Sequence, residues 1–293
     1  MDNNHPKVSV ILPTYNRGNI ISNCINSVIS QEYSNWELII SDDGSSDKTE
    51  EVCTSFKDDR IKYYRNENNL GLPGNRNAAI DKTSGDFILF TEDDMVLKED
   101  CIKLLVETYQ NISKDGINVG SVCPALISSF EDEGKKRNML NFARRSKEEE
   151  LSHNPSVIDK KTGLIYRNFS ADFKEVIEVN DCHSCSLYPK NIYDEFRYEE
   201  NAYKGSYTGE ESDFHFKLTK KGYKLYFQPE AIMFHNVESE GGCRLPLYSW
   251  SYYFIRNHII FLIRNFGIKS VYMAPYFLLF VLYAILHYYL GEN

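Results

Sequence analysis

The chain has 293 residues and a formal net charge of −9 at pH 7. This negative charge argues against the basic surface that nucleic-acid-binding proteins present, so no nucleic-acid partner is expected. Apolar residues make up 42% of the sequence and charged residues 26%, a balance typical of a folded core. The length suits a single large α/β domain with additions.

The seven cysteines are scattered along the chain, which is typical of a reduced, cytosol-facing protein. The segment CHSC at 182–185 could supply half of a zinc site. Because no second closely spaced Cys or His pair completes such a site, buried thiols are the favoured interpretation. The N-terminal MDNNHPKVSVILPTY lacks a basic region followed by an apolar one, so no secretory signal is expected.

Apolar strands and amphipathic helices alternate in the first part of the chain. The run KVSVILPTY predicts a buried strand, and apolar residues then recur at three- and four-residue spacing, as on one face of a helix. Such alternation implies a parallel sheet with helices on both faces. The predicted elements are strand 7–15, helix 20–29, strand 36–43, a helix beginning within 44–56, strand 60–66, a short helix within 71–83, strand 86–93, helix 99–110 and strand 119–127.

Residues 128–180 interrupt this alternation. They are rich in charge and only weakly periodic, which predicts a lid, a loop or an acceptor subsite. Regular structure is expected to return with a helix over 210–222 and a strand over 223–235.

The last part of the chain contains two apolar segments separated by RNFGIKS. The first carries Arg256 and His258 among aromatic residues, a composition suited to the headgroup zone of a membrane. The second, 271–290, has no formal charge apart from His287. As a helix it would span about 30 Å, enough to cross a bilayer core, although Pro275 is expected to kink or shorten it.

Basic residues precede the second apolar segment. Arg256, Arg264 and Lys269 lie before it, which predicts that the preceding part of the chain lies on the cytoplasmic face of the cell membrane. The alternative is a pair of helices packed on the preceding part of the chain without membrane contact.

Three polar clusters follow predicted strands. They are PTYNR at 13–17, SDDGSSD at 41–47 and EDD at 92–94. In a parallel α/β sheet ligands bind beyond the carboxyl ends of the strands, so these clusters predict a shared pocket. Simple capping is the alternative, and it is favoured for Asp47.

The EDD cluster holds more carboxylates than a cap or a turn requires. Adjacent carboxylates are explained if they meet a hard divalent cation and a diphosphate, because Mg²⁺ or Mn²⁺ takes one or two protein carboxylates and fills its other positions with phosphate oxygens and water. A metal held in this way would neutralise the charge on a leaving diphosphate. This chemistry suits transfer from a nucleotide-activated donor.

Several linked motifs over residues 6–236 resemble glycosyltransferase family 2. They are VSVILPTYNR, ELIISDDGSSDKT, NNLGLPGNRNAAI, GDFILFTEDD and GEESDFHFKLTKKGYKLYFQPEAIMFH, in that order. The resemblance implies an α/β fold of the GT-A type, with a mostly parallel, Rossmann-like sheet flanked by helices and here followed by a C-terminal apolar helical segment. It also implies transfer in a single displacement that inverts the sugar carbon.

On this resemblance the chain divides into a catalytic domain, 1–240, and a C-terminal membrane-associated helical region, 241–293. Within the domain, 1–127 would bind the nucleotide and 128–240 the acceptor. Asp42 would accept a hydrogen bond from the base, with Asp43 supporting the turn, and Asp93 would face the ribose. The nucleotide-binding residues implied in full are Pro13, Thr14, Tyr15, Arg17, Asp42, Asp43, Arg76 and Asp93.

The metal and the base follow from the same resemblance. Asp94 would bind Mn²⁺ or Mg²⁺ as the last residue of a D-x-D-like motif, and His235 would stand beside it. Glu211 in GEESD takes the position of the general base, which must accept the proton of the acceptor hydroxyl. Glu92, Glu210 and Asp213 are supporting candidates.

The sequence departs from the family pattern at three places. Glu92 replaces the usual first Asp of the metal motif, and the pair Glu210-Glu211 replaces the usual Glu-Asp. The Gln-x-x-Arg-Trp motif of processive members is missing, which predicts addition of one sugar per encounter.

The sequence therefore predicts a metal-dependent, inverting transferase for polysaccharide biosynthesis. The expected partners are a nucleotide-diphosphate sugar, UDP-linked in the first instance, a glycan or lipid-linked acceptor, and the membrane surface. A catalytically inactive relative remains an alternative. A nucleotidyltransferase is less favoured, because PTYNRGN lacks the Gly-rich loop of such enzymes.

Overall fold

The computed structural model describes residues 5–128, 147–236 and 245–290, without the side chains of Leu247 and of 284–290. The strands are β1 Val8–Thr14, β2 Trp36–Asp42, β3 Ile61–Arg65, β4 Phe87–Phe90, β5 Met95–Leu97, β6 Val119–Ser128, β7 Ser156–Ile158, β8 Ile165–Arg167, β9 Ile177–Val179, β10 Leu187–Pro189 and β11 Lys224–His235. The helices are α1 Ile21–Ile29, α2 Thr49–Ser55, α3 Gly71–Ile80, α4 Cys101–Ser113, α5 Glu148–His153, α6 Ile192–Glu195, α7 Glu210–Lys220, α8 Leu247–Phe266 and α9 Ser270–Leu290, with a 3₁₀ turn, Gly267–Lys269, between the last two.

A mixed sheet forms the centre of the molecule. Its strand order is β3-β2-β1-β4-β10-β6-β11-β5, and β9 also pairs with β11. Pairing is parallel from β3 through β4 and between β6 and β11, whereas β10, β5 and β9 are antiparallel to their neighbours. The predicted α/β fold with flanking helices is confirmed, and the short antiparallel strands make the sheet less parallel than the sequence indicated.

Both faces of the sheet are covered. Along β1, Val10 and Leu12 pack into one apolar cluster with α1 and α4, whereas Ile11 packs into a second cluster with α3 and α7. Successive side chains of a strand point to opposite faces, so a strand buried on both sides has a continuous apolar run. This explains why VSVILPT contains no polar alternation.

The registers bring the polar clusters to one edge of the sheet. Thr14 at the end of β1 pairs with Asp42 at the end of β2, and Ile11 pairs with Phe90 at the end of β4. The predicted strand 86–93 ends at Phe90, and the three carboxylates occupy the turn that follows. The shared pocket expected from the sequence lies at this edge.

The region 128–180 contains more regular structure than its sequence indicated. Residues 129–146, predicted to belong to a lid or loop, lie outside the described residues. The remainder forms α5, a separate hairpin of β7 and β8, and β9 at the margin of the main sheet. The thiols of Cys182 and Cys185 are buried.

The C-terminal helices pack on each other and on the rest of the protein. Phe254 of α8 and Phe277 and Val281 of α9 are buried together with Leu164. In the described residues one helical stretch, Tyr248–Tyr283, is long and apolar enough to cross a membrane by length and composition. Only 17% of its most apolar part is buried, so this stretch differs from the core helix of a soluble protein, which would be mostly buried.

Candidate active site

A cavity of about 560 Å³ lies at the carboxyl edge of the sheet. Its wall contains every predicted site residue except Asp42 and Asp213, and it also contains residues from α3, from the loop 205–208 and from the start of α7. A second groove, of about 680 Å³, lies between α1 and the start of α4 and holds none of the predicted residues. We therefore take the first cavity as the candidate active site.

At one end of the cavity Asp93 is held by two residues of the PTYNR segment. The Thr14 hydroxyl donates to Asp93 Oδ2 at 3.0 Å, and Arg17 Nε lies 3.2 Å from Asp93 Oδ1. Burial raises the pKa of Asp93 to about 7, with a further contribution from Asp94, while Arg17 and Thr14 act in the opposite direction. Arg17 is therefore engaged with a carboxylate, and its predicted contact with a base or phosphate stays a prediction.

The structure differs from the prediction at Asp42. This residue is fully buried, and its carboxylate accepts hydrogen bonds from the Tyr63 hydroxyl at 2.5 Å and the Ser45 amide at 2.8 Å. Because Asp42 is enclosed by its own turn, it does not reach the cavity. Its carboxylate stabilises the strand end rather than presenting a free acceptor.

Asp43 takes the place at the cavity wall that was expected of Asp42. Its two oxygens accept the amides of Leu70 and Gly71 at 2.8 and 2.9 Å, and Oδ1 also accepts Asn66 Nδ2 at 3.0 Å. These bonds fix the start of α3, where backbone amides lack partners within the helix. Asp43 thus joins the end of β2 to the start of α3 at the cavity wall, and its predicted role in nucleotide binding stays a prediction.

Asp94 and His235 are neighbours because of the antiparallel pairing of β5 and β11. His235 pairs with Met95 in that register, and His235 Nε2 lies 3.4 Å from Asp94 Oδ2. In 5–128, 147–236 and 245–290 no group of three or more His, Cys, Asp or Glu residues is arranged to hold a metal. A carboxylate and an imidazole nevertheless suit a divalent ion whose other ligands come from phosphate and water. The two residues fit such an ion as a partial site that a diphosphate would complete.

Arg76 lines the cavity, but its side chain is almost fully buried and paired. Its side chain is 1% exposed, and its guanidinium pairs with Glu210 and, at 3.3 Å, with Glu92. Glu92 also accepts the Ser184 hydroxyl at 2.7 Å. Two carboxylates pair with the Arg76 guanidinium in this structure, and its predicted contact with the nucleotide stays a prediction. The pairing also gives Glu92 and Glu210 a structural role.

Glu211 lies at the cavity wall beside its buried neighbour Glu210. Its side chain is 18% exposed, and Oε1 lies 3.1 Å from Arg167 Nη1. Sequence reasoning had not identified Arg167, which comes from the segment where no motif was recognised. A lone Arg in a charged segment carries no signal for such a contact.

Asp213 lies outside the cavity. It is 1% exposed, and it accepts hydrogen bonds from Arg264 Nε at 3.1 Å and Asn265 Nδ2 at 2.7 Å. The supporting role predicted for Asp213 in the active site is therefore wrong in place. Its carboxylate instead attaches α7 to α8.

The loop before α7 closes the cavity over the start of α3. Tyr207 has a positive φ of 52°, and its hydroxyl packs against Gly71, where a Cβ would lie 2.2 Å from that oxygen. Gly71 has a φ of +74°, so both steric and backbone constraints favour glycine there. This loop, Ser184 and Leu245 also line the cavity and were not identified from the sequence.

Comparison with known proteins identifies the family. The model of the family described as glycosyl transferase family 2 matches residues 9–197, which contain the sheet edge and the EDD turn. The chain belongs to glycosyltransferase family 2. The fold and site described above are thus those of a member of this family.

Two of the curated relatives are named for transfer to undecaprenol-linked sugars. One is the Campylobacter jejuni GalNAc(5)-diNAcBac-PP-undecaprenol beta-1,3-glucosyltransferase, 32% identical over 179 residues, 60% of this chain and 55% of that protein. Another is an Escherichia coli UDP-Glc:alpha-D-GlcNAc-diphosphoundecaprenol beta-1,3-glucosyltransferase, 38% identical over 134 residues, 41% of this chain and 53% of that protein. The aligned regions span about half the length of these relatives.

Solved structures share the fold at low sequence identity. The mannosyltransferase PcManGT from Pyrobaculum calidifontis, in complex with GDP-Man and Mn²⁺, has a TM-score of 0.61 at 16% identity and covers 99% of this chain and 76% of that one. S. aureus TarS 1-349 in complex with UDP-GlcNAc has a TM-score of 0.60 at 16% identity and covers 93% and 71%. Both likenesses support the GT-A-like fold.

Proposed function

We propose that this protein transfers one sugar from a nucleotide-diphosphate sugar, UDP-linked in the first instance, to a lipid-linked oligosaccharide or related glycan, with inversion. The observation that carries the proposal is the arrangement of the cavity. The Asp93–Arg17 pair, the Asp94–His235 pair and Glu211 all line this one cavity. A displacement needs donor binding, charge stabilisation and a proton acceptor within a single site.

The donor would be bound along the carboxyl edge of the sheet. Pro13, Thr14, Tyr15 and Asp43 would surround the nucleoside, and Asp93 would face the ribose. Asp94 and His235 would hold Mn²⁺ or Mg²⁺ at the diphosphate, where a bound divalent ion stabilises the charge of the leaving nucleotide.

Glu211 would act as the general base. Its carboxylate would accept the proton of the acceptor hydroxyl as that oxygen attacks the anomeric carbon. Attack from the side opposite the diphosphate inverts the configuration. Glu210 is unsuited to this task because its buried carboxylate is paired with the Arg76 guanidinium.

The acceptor and location are inferred from the relatives and from the C-terminal helices. The curated relatives act on undecaprenol-diphosphate-linked sugars, as their names state. A lipid-linked acceptor would reach the cavity at the cytoplasmic membrane surface if the exposed apolar side chains of α8 and α9 contact lipid. Without the polymer-holding motif, one sugar would be added per encounter.

A donor screen tests the proposal. Hydrolysis of UDP-glucose, UDP-N-acetylglucosamine and GDP-mannose would be measured with Mn²⁺ and again with excess EDTA. We expect one donor to be turned over in a metal-dependent manner. Asp94→Ala should lower this turnover about 10²-fold or more, since metal-dependent charge stabilisation would be lost.

The variant Glu211→Gln tests the proposed general base in the same hydrolysis assay. Glu211→Gln should reduce turnover to a comparable extent while the Kd for UDP stays within about twofold, because only the proton acceptor is removed. The matched control is Asp81→Ala, which changes an exposed carboxylate outside the cavity. Turnover that survives EDTA or either active-site substitution would contradict the corresponding role.

A further inference from the structure

A chain of polar side chains runs from the cavity wall into the core behind Glu211. It begins at Arg167, the last residue of β8, and continues to Asp181 after β9 and to His215 of α7. Asp181 and His215 are fully buried. Arg167 therefore connects a carboxylate at the cavity wall with a carboxylate in the core.

The guanidinium of Arg167 contacts two carboxylates at once. Nη1 lies 3.1 Å from Glu211 Oε1, Nε donates to Asp181 Oδ2 at 2.8 Å, and Nη2 contacts both Asp181 and the Ser212 hydroxyl, the latter at 2.7 Å. The fixed fork of an arginine holds such partners in one orientation. Among the described residues Glu211 Oε2 accepts no hydrogen bond from a protein side chain. Arg167 therefore restrains Oε1, while Oε2 can accept a proton.

Asp181 is itself restrained from the far side. His215 Nδ1 lies 2.8 Å from Asp181 Oδ1, and His215 Nε2 lies 2.7 Å from the Tyr188 hydroxyl. Burial acts to raise the pKa of Asp181, but the charge of Arg167 and the hydrogen bond of His215 outweigh it, so the pKa is lowered. A charged Asp181 keeps Arg167 in place through Nε and Nη2. This leaves Nη1 of Arg167 to contact Glu211 Oε1.

We propose that Arg167, anchored by Asp181, is a positioning residue for the general base Glu211. This inference rests on the proposed function, because it assigns Arg167 a task only if Glu211 accepts the acceptor proton. Arg167 restrains one carboxylate oxygen and orients the other toward the acceptor. The role falls to Arg167 rather than to Arg76, whose charge is already taken by Glu210 and Glu92.

The test measures steady-state hydrolysis of whichever donor in the panel is turned over fastest, with full-length protein and Mn²⁺. Arg167→Ala should lower kcat about 10²-fold with KM for the donor within about twofold, since the base is misplaced but the nucleotide site is intact. Guanidinium at tens of millimolar should restore part of kcat, whereas the same concentration of NaCl should not. Arg167→Lys keeps the charge beside Asp181 and should show an intermediate kcat.

A double-variant cycle separates positioning from a general structural defect. If Arg167 acts through Glu211, Arg167→Ala combined with Glu211→Gln should be no slower than Glu211→Gln alone. The matched control is Arg197→Ala, which removes an exposed arginine paired with Asp81 at 2.8 Å and should leave kcat unchanged.

Each remaining outcome counts against a specific claim. Full activity of Arg167→Ala overturns the positioning role alone. The same holds if guanidinium does not rescue Arg167→Ala and the double variant has a kcat below that of Glu211→Gln by the whole factor that Arg167→Ala causes in the wild type. Full activity of Glu211→Gln, or no turnover of any donor by the wild type, overturns the proposed function together with the inference.

Discussion

The acidic side chains of the cavity are balanced largely by arginines from distant parts of the chain. Arg17 meets Asp93, Arg76 meets Glu92 and Glu210, and Arg167 meets Glu211. Buried charges are tolerated only when they are paired, and removing one partner of such a pair is costly. Of the three carboxylates in EDD, Asp94 lies beside the imidazole of His235, and the metal role is proposed for this pair.

Another buried carboxylate, that of Glu37, lies on β2 outside the cavity. It is 2% exposed and accepts Lys62 at 2.7 Å and the Ser9 hydroxyl at 2.6 Å. Burial acts to raise the pKa of Glu37, but hydrogen bonds from Lys62, Ser9, the Ser84 amide and Lys7 prevail and lower it below its ordinary value of 4.5. A carboxyl group whose pKa is lowered in the folded state stabilises the protein above its ordinary pKa of 4.5. This stabilisation is lost as the pH falls through the lowered pKa.

Glu37→Gln should therefore destabilise the protein in a pH-dependent manner. We expect the free energy of unfolding to fall by about 1–3 kcal/mol near neutral pH, because hydrogen bonds to a charged group are lost. The difference from wild type should narrow as the pH falls below 4.5. Urea unfolding at several pH values measures this.

The control for Glu37→Gln is Glu50→Gln, which removes an exposed ion pair with Arg65. Surface pairs contribute only about 0–1 kcal/mol, so this change should be nearly neutral. A difference between wild type and Glu37→Gln that does not vary with pH would contradict the ionic role of Glu37.

Among the elements, α8 contacts both α7 and the loop that precedes it. Arg264 and Asn265 bind Asp213 of α7, and His258 lies 2.8 Å from the Thr162 carbonyl. Asn257 is fully buried and donates to the Lys204 carbonyl at 2.9 Å. The loop that begins at Lys204 lines the cavity at 205–208. The helix α8 is therefore connected to both α7 and this loop.

Asn257→Ala should disturb the cavity from outside it. Because the fully buried Asn257 amide and its hydrogen bond to the Lys204 carbonyl are lost, we expect a loss of about 1–3 kcal/mol in the free energy of unfolding. KM for the donor should rise because the loop is no longer fixed. Asn111→Ala, on the exposed side of α4, is the control and should change neither quantity. An unchanged KM for Asn257→Ala would show that the loop is held by other contacts.

At the level of the whole molecule, the C-terminal helices present a broad apolar surface. The exposed large side chains there include Tyr248, Ile268, Val271, Tyr272, Tyr276, Leu278, Leu279, Leu282 and Tyr283. Contiguous exposed apolar surface of this kind marks a contact with lipid or protein. Arg256 and Arg264 contact the Ala202 carbonyl and Asp213, so they help to dock α8 on the catalytic domain.

We expect charges on this surface to weaken membrane binding. Val271, Leu278 and Leu282 are exposed at helical spacing on α9. Changing all three to Glu should lower the fraction bound to phosphatidylcholine–phosphatidylglycerol vesicles roughly tenfold or more in a flotation assay, because apolar burial in the bilayer is lost.

A triple control matches the added charge. Thr54→Glu, Asn111→Glu and Val176→Glu alter exposed positions outside the C-terminal helices. Substitutions are preferable to truncation near residue 245, because truncation would also remove the buried Phe261 and Leu262. Equal flotation of the two triple variants would contradict membrane contact through α9.

The sequence by itself determined most elements of the first 127 residues and the edge of the sheet that carries the site. Apolar periodicity is a local property, so KVSVILPTY and DFILF indicated buried strands, and the EDD turn lay where a parallel sheet binds ligands. The strand ends were displaced by up to three residues, as for 86–93, because polar residues after a strand resemble its continuation.

Only the tertiary structure decided which charges pair. Arg76 and Glu210 are 134 residues apart, and Arg167 and Glu211 are 44 apart, so neither pairing leaves a local pattern in the sequence. The same holds for Asp42 and Asp213, whose carboxylates lie outside the cavity and accept hydrogen bonds from other side chains. Burial makes an unpaired charge costly, and which partner satisfies it depends on how the chain packs.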